Sequence, residues 1–445
     1  MQFKEAILQA RSQIAIILGL LSTGIIIFML TDLSHLGVET IEIETDTVIQ
    51  VEMTQDIPRS KYGPLTEEER MIAKKAWQYF ENNTNAQTGL ADSVKGFNFT
   101  TLWDTSSYLL AVIAAYRLEV ITKKDFTERI DTALDSLIRI PLYNDELPNK
   151  SYDTKTLSMT DYQNRPTDEG IGWSAIDIGR LCVPLNVLLY EYNEFTPEVR
   201  AIVSRWKFER MFHDGVMYGT SRNGGREEVH QEGRLGYEEY VSKSFALLGF
   251  DISQAYSYLD YTGFADVEGV EVPVDLRLPS QFGAHTYTLS EPYILDGLEF
   301  GWDHYSREFS YRVYLAQKSR FERTGTITAV TETALDEDPY FVYNTVFGDG
   351  IPWASLTSNG LRSESWRTIS TKAALGWAYL YDTDYSSTLL GKIQPLQTEE
   401  DGFYAGIYEE DNRINKAITC NTNGIILEIL HYKVFGPYLK IQGKK

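Results

Sequence analysis

The sequence predicts a domain dominated by α-helix, an (α/α)6 toroid with short β-hairpins in its rim loops, preceded by one N-terminal transmembrane helix. Three observations carry this prediction. Two kinds of helical pattern alternate along the chain, aromatic-plus-polar clusters open the more apolar kind six times, and one uncharged apolar run lies near the N-terminus.

Composition bounds the reading first. The chain has 445 residues, with 41 Lys+Arg against 63 Asp+Glu and a formal net charge of -22. That length allows one large catalytic domain or two ordinary ones, and 43% hydrophobic content supplies a core. The acid excess excludes nucleic acid as a partner and disfavours anionic lipid surfaces, because phosphates repel a field of that sign. Two cysteines exclude a disulfide scaffold or a Cys-based zinc site. Both Cys182 and Cys420 fall in apolar helical patterns and are expected as buried free thiols. The 29 Tyr and 8 Trp are flat, amphipathic rings that suit sugar faces and ordinary cores alike.

Residues 1–11 read as a cytoplasmic stub and residues 12–31 as a transmembrane anchor, long enough to cross a hydrocarbon core of about 30 Å. The run closes on Phe28-Met29-Leu30-Thr31-Asp32, without the small residues of a cleavage site. Lys4 and Arg11 precede it; Asp32, Glu39, Glu42, Glu44 and Asp46 follow. The positive-inside rule then leaves the N-terminus in the cytoplasm and makes this a single-pass protein of the inner or plasma membrane, its main domain periplasmic or extracellular. Residues 32–64, acidic and ending in Pro58 and Pro64, read as a tether.

The toroid domain spans 65–445. Thr66 and Glu69 have capping-box spacing, and Ile72, Ala76, Tyr79 and Phe80 follow at helical intervals. One helix type is amphipathic, as in Phe126, Ile130, Leu134 and Leu137. The other is apolar on nearly every face, as in Tyr108 to Ala115 and Leu181 to Leu189, and must be covered on all sides. Alternation of the two is what an inner barrel of helices inside an outer one requires. The apolar helices open at Trp103-Asp104-Thr105, Trp173-Ser174, Tyr237-Glu238-Glu239, Trp302-Asp303-His304, Trp366-Arg367-Thr368 and Asn421-Thr422-Asn423. An α-solenoid would repeat at a shorter, more uniform interval. Turn-rich stretches at 212–219, 263–279 and 339–350 read as hairpins or long loops on the rim.

Metal and cofactor chemistry find no motif. The six histidines never pair at metal-ligand spacing, and no dinucleotide fingerprint, phosphate loop or nucleophile elbow is present. Carboxylates beside aromatics remain, the groups glycoside chemistry uses. Asp104 opens the first inner helix and also suits an N-cap. Asp168 and Glu169 precede the second, where they suit a solvated loop as well. Asp177 and Arg180 interrupt an apolar helix, so they need a partner or a polar cavity. Asn223 to Gly236, with Arg226, is a Gly-rich charged loop leading into the third opening. Adjacent helical residues point about 100° apart, so one glutamate faces the axis; Glu239 is assigned that position and Glu238 a loop arginine. Asp349, Trp353, Arg367, Asn421 and Asn423 are candidates for further subsites, with turn and cap roles as their ordinary alternative.

Several of these segments carry a resemblance. Trp103 to Ala115, the Gly236-Tyr237-Glu238-Glu239-Tyr240 helix, Gly301 to Ser306 with Gln317 and Arg320, and Thr419 to Glu428 resemble a bacterial family of uncharacterised, membrane-anchored envelope proteins. More distantly, the domain is similar to the glucoamylase-like (α/α)6 hydrolases that include endo-β-1,2-glucanases. In those, small polar residues open the first inner helix, as Thr105-Ser106-Ser107-Tyr108 does here. A Tyr-Asn-Glu element there resembles Tyr237-Glu238-Glu239 and implies Glu239 as the essential carboxylate. Their second inner helix carries an Asp and a Glu three apart, where this chain offers Ser174 and Asp177.

The expectation is a membrane-anchored extracytoplasmic glycoside hydrolase-like protein, inverting by analogy, which needs an acid and a base about 6.5–9.5 Å apart. Glu239 is expected as general acid, Asp104 or Asp177 as the group that orients water or binds sugar, and Trp103, Trp173, Tyr237 and Trp353 as stacking surfaces. Arg180 and Arg226 would hydrogen-bond a glycan ligand. A non-catalytic glycan-binding or scaffold protein in envelope polysaccharide assembly or export is the alternative. A lyase is disfavoured because acidic sugars meet a like-charged domain.

Overall fold

The computed structural model describes residues 51–223, 225–258, 260–277 and 285–439. The expected anchor at 12–31 and most of the expected tether lie outside them. Among the described residues no helix is long and apolar enough to cross a membrane.

Eleven helices of the described residues carry the domain: α1 (Glu67–Asn83), α2 (Leu102–Arg117), α3 (Lys123–Arg139), α4 (Ala175–Glu191), α5 (Thr196–Val203), α6 (Tyr237–Leu247), α7 (Glu291–Phe300), α8 (His304–Thr324), α9 (Thr371–Leu380), α10 (Asp384–Ile393) and α11 (Cys420–Phe435). Helices α2, α4, α6, α7, α9 and α11 form the inner ring, each packed on the next, with α11 returning to α2. Helices α1, α3, α5, α8 and α10 cover it. Among the described residues between α6 and α7, the antiparallel hairpin Thr262–Val267 and Val270–Asp275 packs on α8 where a sixth outer helix would be expected.

The two helix types follow from their residues. In α2, every residue from Thr105 to Ala115 is buried, because apolar and small side chains occupy all faces. In α3, only the stripe Phe126, Ile130, Ala133, Leu134, Ser136 and Leu137 is buried. Helix α1 starts on the expected capping box: the Thr66 amide donates to Glu69 Oε2 (2.7 Å) and the Glu69 amide to Thr66 Oγ1 (3.2 Å). Cys182 and Cys420 are free and buried, as expected. The turn-rich stretches form hairpins, among them Val216–Asn223 with Arg226–Gln231.

The count of inner helices agrees with the sequence, but the fourth is a different segment. Trp302-Asp303-His304 opens an outer helix, α8; the inner one is the preceding ten-residue α7, buried along its whole length. Left-handed Gly301 (φ 76°) and Trp302 (φ 61°) reverse the chain between them. A ten-residue helix carrying Glu291, Asp296 and Glu299 shows too little apolar periodicity to be recognised, whereas α8 is long. The fifth inner helix begins at Thr371, leaving Trp366 in a 3-10 turn and Arg367 beside it.

Part of the expected tether is docked onto the domain. The Ser60 amide donates to the Leu380 carbonyl (3.0 Å), the Gly63 amide to that of Lys433 (2.8 Å), and Arg59 lies over the Trp302 ring (5.0 Å). These contacts lie at the C-terminal ends of α9 and α11 and just beyond that of α7, the base of the toroid. The opposite end, where the inner helices start, is its mouth.

On the axis sits Arg180, fully buried. Its Nη1 donates to Glu299 Oε1 (3.0 Å) and to the Tyr240 hydroxyl (2.9 Å); its Nη2 donates to Ser107 Oγ (3.1 Å) and Glu428 Oε1 (3.3 Å). One side chain thereby joins α2, α4, α6, α7 and α11. Burial raises Glu428 well above the usual carboxylate range and raises Glu299 too, with Arg180 opposing both. Among the described residues the Oε2 of Glu428 has no hydrogen-bond partner. Removing only the cation leaves buried carboxylates uncompensated. Arg180→Met is therefore expected to lose about 3–5 kcal/mol in a denaturant titration, while replacing Arg180, Glu299 and Glu428 together with apolar side chains costs much less.

Candidate active site

The mouth of the toroid is a polar hollow built by helix starts. On α2, the Thr101 hydroxyl caps the Asp104 amide (3.1 Å) and places Trp103 at the axis. The Asp104 carboxylate accepts the Ser93 (2.5 Å) and Thr101 (2.8 Å) hydroxyls. Burial raises its pKa, and these two hydroxyls oppose the rise. On α4, the Ser174 hydroxyl accepts the Asp177 amide (3.1 Å), which sets Asp177 one turn into the helix facing the hollow. On α7, Glu291 accepts the Trp103 indole N–H (3.1 Å) and the Asn421 amide of α11 (3.0 Å), and it pairs with Lys372 of α9. Lys372 also donates to Asn421 Oδ1 (2.5 Å). The Trp103 ring covers the Arg180 guanidinium (4.6 Å) and meets the Tyr237 ring edge-on (5.6 Å), so the axial network is the floor of the hollow.

One wall is a sheet. Strands Glu332–Ala334 and Phe341–Asn344 pair antiparallel with Glu332 opposite Tyr343, so both project from one face. Val342, opposite Thr333, turns the other way into a cluster with Leu335 and Tyr408. Glu332 is half-buried, faces the Tyr237 hydroxyl, and has its pKa pushed up to about 8, by burial first and then by Glu291, against Lys372. Asp177 is pushed up to about 7, by burial first and then by Glu232. A helix N-terminus stabilises a carboxylate; here burial and crowding by like charge prevail. Among the described residues neither Asp177 nor Glu332 has an ion-pair partner, whereas Glu291, Glu238 and Glu299 each hold a cation. Glu232, at the end of the Arg226–Gln231 strand, accepts the Ala175 amide (2.5 Å) beside Asp177.

The arrangement offers two free carboxyls that bind protons near neutral pH, two fixed hydrogen-bonding groups and aromatic walls. Among the described residues no group of His, Cys, Asp or Glu is placed to hold a metal ion. Two surface cavities lie elsewhere. One of about 370 Å³ sits by Trp77, Glu81 and Arg129, and one of about 750 Å³ lies at the base by Arg117, Glu191 and Tyr438. Asp125 of the first caps Thr122, and Glu191 of the second pairs with Arg117.

The family profile described as DUF3131, protein of unknown function, matches residues 71–436. The chain belongs to the DUF3131 family. A sequence comparison with curated proteins returns no match. Among solved structures, the DUF3131 chain is similar to an endo-β-1,2-glucanase from Chitinophaga pinensis in complex with sophorotriose and glucose. The two share 12% identity with a TM-score of 0.58, covering 84% of this chain and 94% of that one. An endo-β-1,2-glucanase from Talaromyces funiculosus with sophorose gives 12% identity and a TM-score of 0.54, covering 84% of each chain. A glucoamylase from Saccharomycopsis fibuligera gives 11% and 0.53, covering 86% and 98%. At these identities the likeness establishes the glucoamylase-like α/α toroid.

Of the residues singled out in the sequence, the DUF3131 mouth brings together Trp103, Asp104, Asp177, Tyr237 and Asn421, with Arg180 beneath. Glu239 does not join them. Its carboxylate turns back to accept the Gly236 amide (2.7 Å) as the cap of α6; it is fully buried, and burial holds its pKa well above the usual range. Glu238 pairs with Arg277 (2.6 Å), an arginine outside the Asn223–Gly236 loop. Trp173 is fully buried, its indole donating to the Tyr218 carbonyl (3.3 Å), so it offers no sugar platform. Asn423 is buried too, accepting the Phe403 amide (2.8 Å). Trp353 donates to Glu268 (3.2 Å) under Arg320, and Arg367 is held by Glu409 (2.9 Å), which leaves both as structural groups. Asp168, Glu169 and Arg226 are exposed, Glu169 pairing with Arg222 (2.8 Å). Asp349 lies 2.7 Å from His285 Nδ1.

Sequence reasoning missed Glu232, Glu291, Glu332, Lys372 and Tyr343. The Ser290-Glu291-Pro292 helix start was the available signal for Glu291; Glu332 and Tyr343 sit on short strands that announce nothing. Because Glu232 is the leading charge that raises Asp177, Glu232→Gln is expected to bring the Asp177 pKa down from about 7. Carboxyl-carbon NMR titration of the two proteins measures this as a shift of the Asp177 curve to lower pH.

Proposed function

We propose that this protein is a glycoside hydrolase acting on a polysaccharide or oligosaccharide by single displacement with inversion. Glu332 is the general acid and Asp177 the general base. The observation that carries the reading is that these two carboxyls stand unpaired in an aromatic-lined hollow, with proton affinities near neutrality that differ in order. In the working pH range Glu332 holds its proton while Asp177 has lost it. Glu332 gives that proton to the glycosidic oxygen as the anomeric C–O bond breaks. Asp177 takes one from the water that attacks the opposite face of the anomeric carbon. Glu291, Asn421 and Lys372 form a fixed polar wall for sugar hydroxyls, and Trp103 and Tyr237 supply ring surface. The fold likeness to glucanases and a glucoamylase supports the substrate class.

Reducing-end release from a glycan panel tests the reading. Glu332→Gln and Asp177→Asn should each slow cleavage by on the order of 10²–10⁴-fold with the fold retained. The rate should rise through about pH 7 as Asp177 ionises and fall through about pH 8 as Glu332 loses its proton. Unchanged release by both variants would overturn the assignment. Binding of a glycan without cleavage by the native protein would favour a scaffold role in envelope polysaccharide assembly.

Residues 12–31 are proposed to anchor the protein in the membrane with the domain outside the cytoplasm, on the strength of the apolar run and its flanking charges. The chain should then resist alkaline extraction from membranes, and external protease should reach residues 65–439 in cells stripped of outer layers.

A further inference from the structure

Beyond the acids, a row of rings leads out along the sheet wall. The Tyr343 ring, opposite Glu332, lies 4.9 Å from that of Tyr287, and the Tyr287 ring stacks on His285 at 5.6 Å with a 7° interplanar angle. All three residues are half-buried. The two tyrosines come from separate sheets. Tyr343 belongs to the sheet that carries Glu332, and Tyr287 pairs with Gly348 on the neighbouring one. Asp349 fixes the far end by its contact with His285 Nδ1. The Tyr287 hydroxyl is shielded from solvent and has no hydrogen-bond partner among the described residues.

Ordinary packing does not account for this row. A core cluster would bury the rings, and a hydroxyl placed for structure would find a partner. A file of half-buried rings with an unsatisfied hydroxyl suits the apolar face and rim hydroxyls of successive pyranose rings. Its one imidazole, His285, is held by Asp349, and the two tyrosines are neutral near pH 7, so the row presents no free charge to its ligand. We infer that Tyr343, Tyr287 and His285 form an extended binding wall for a linear, uncharged glycan, on which sugar units stack in succession outward from Glu332. This rests on the mouth being a glycan site, and it adds that the ligand is a chain rather than a mono- or disaccharide.

The test uses the full-length protein bearing Glu332→Gln, so that ligands survive. Binding is measured by calorimetry for β-1,2-, β-1,3-, β-1,4- and α-1,4-linked gluco-oligosaccharides of two and of ten units. At least one linkage should bind more tightly at ten units than at two. Tyr287→Ala or Tyr343→Ala should weaken the long ligand about ten-fold and leave the short one unchanged. Tyr287→Phe keeps the ring and should retain most of the gain, which separates stacking from misfolding. Affinity that does not grow with length, growth that survives both alanine variants, or no binding in any series overturns the wall. Cleavage by the native protein without length dependence would overturn the wall alone. Length-dependent binding without cleavage would leave the wall standing and overturn the hydrolytic reading.

Discussion

The buried guanidinium of Arg180 is the constraint from which the rest of the molecule follows. A charge on the axis of a helical barrel is tolerated only if it is paired and hydrogen-bonded, as both terminal nitrogens of Arg180 are. Satisfying it fixes Ser107, Tyr240, Glu299 and Glu428, and with them the mutual heights of five inner helices. Trp103 lies flat on the upper side of the guanidinium and hands its indole N–H to Glu291, which holds Lys372 and Asn421. The floor of the mouth is thereby positioned by the same contacts that close the barrel. Precision at the site is a by-product of solving an electrostatic problem below it.

The mouth shows how environment sorts chemically identical groups. Five carboxylic side chains at inner helix starts illustrate it: Asp104, Asp177, Glu238, Glu239 and Glu291. Asp104 is tied by hydroxyls, Glu238 by an arginine, Glu239 by a backbone amide and Glu291 by a lysine, an indole and an amide. Asp177 alone among them retains little beyond its cap serine, and the sheet adds Glu332 as a second carboxyl without an ionic partner. Carboxyls with fixed partners contribute shape, and those without are free to exchange protons.

The sequence was most legible where local pattern and tertiary role coincide. Helices α2 and α4 are apolar all round and begin on Thr or Ser caps, so both the ring and the positions of Asp104 and Asp177 could be read directly. At α6 the division of labour between neighbouring glutamates was half legible: Glu238 does pair with an arginine, Arg277 from outside the preceding loop, but Glu239 closes its own helix end instead of facing the axis, a choice that depends on the unusual φ of 99° at Gly236. Helix α7 was hidden because acids interrupt ten residues that only the finished barrel buries. Trp173 and Asn423 stand at helix starts as expected yet point into packed interior, since position along a helix does not fix direction around it. Glu332 owes its place to strand pairing over a span that no periodicity encodes.

Residues 51–63 dock on the base of the barrel. The chain crosses the ends of α9 and α11 before it enters α1, so this stretch stays away from the opening. The acids and rings stand at the opposite end of the inner helices, so the mouth is left uncovered by residues 51–63.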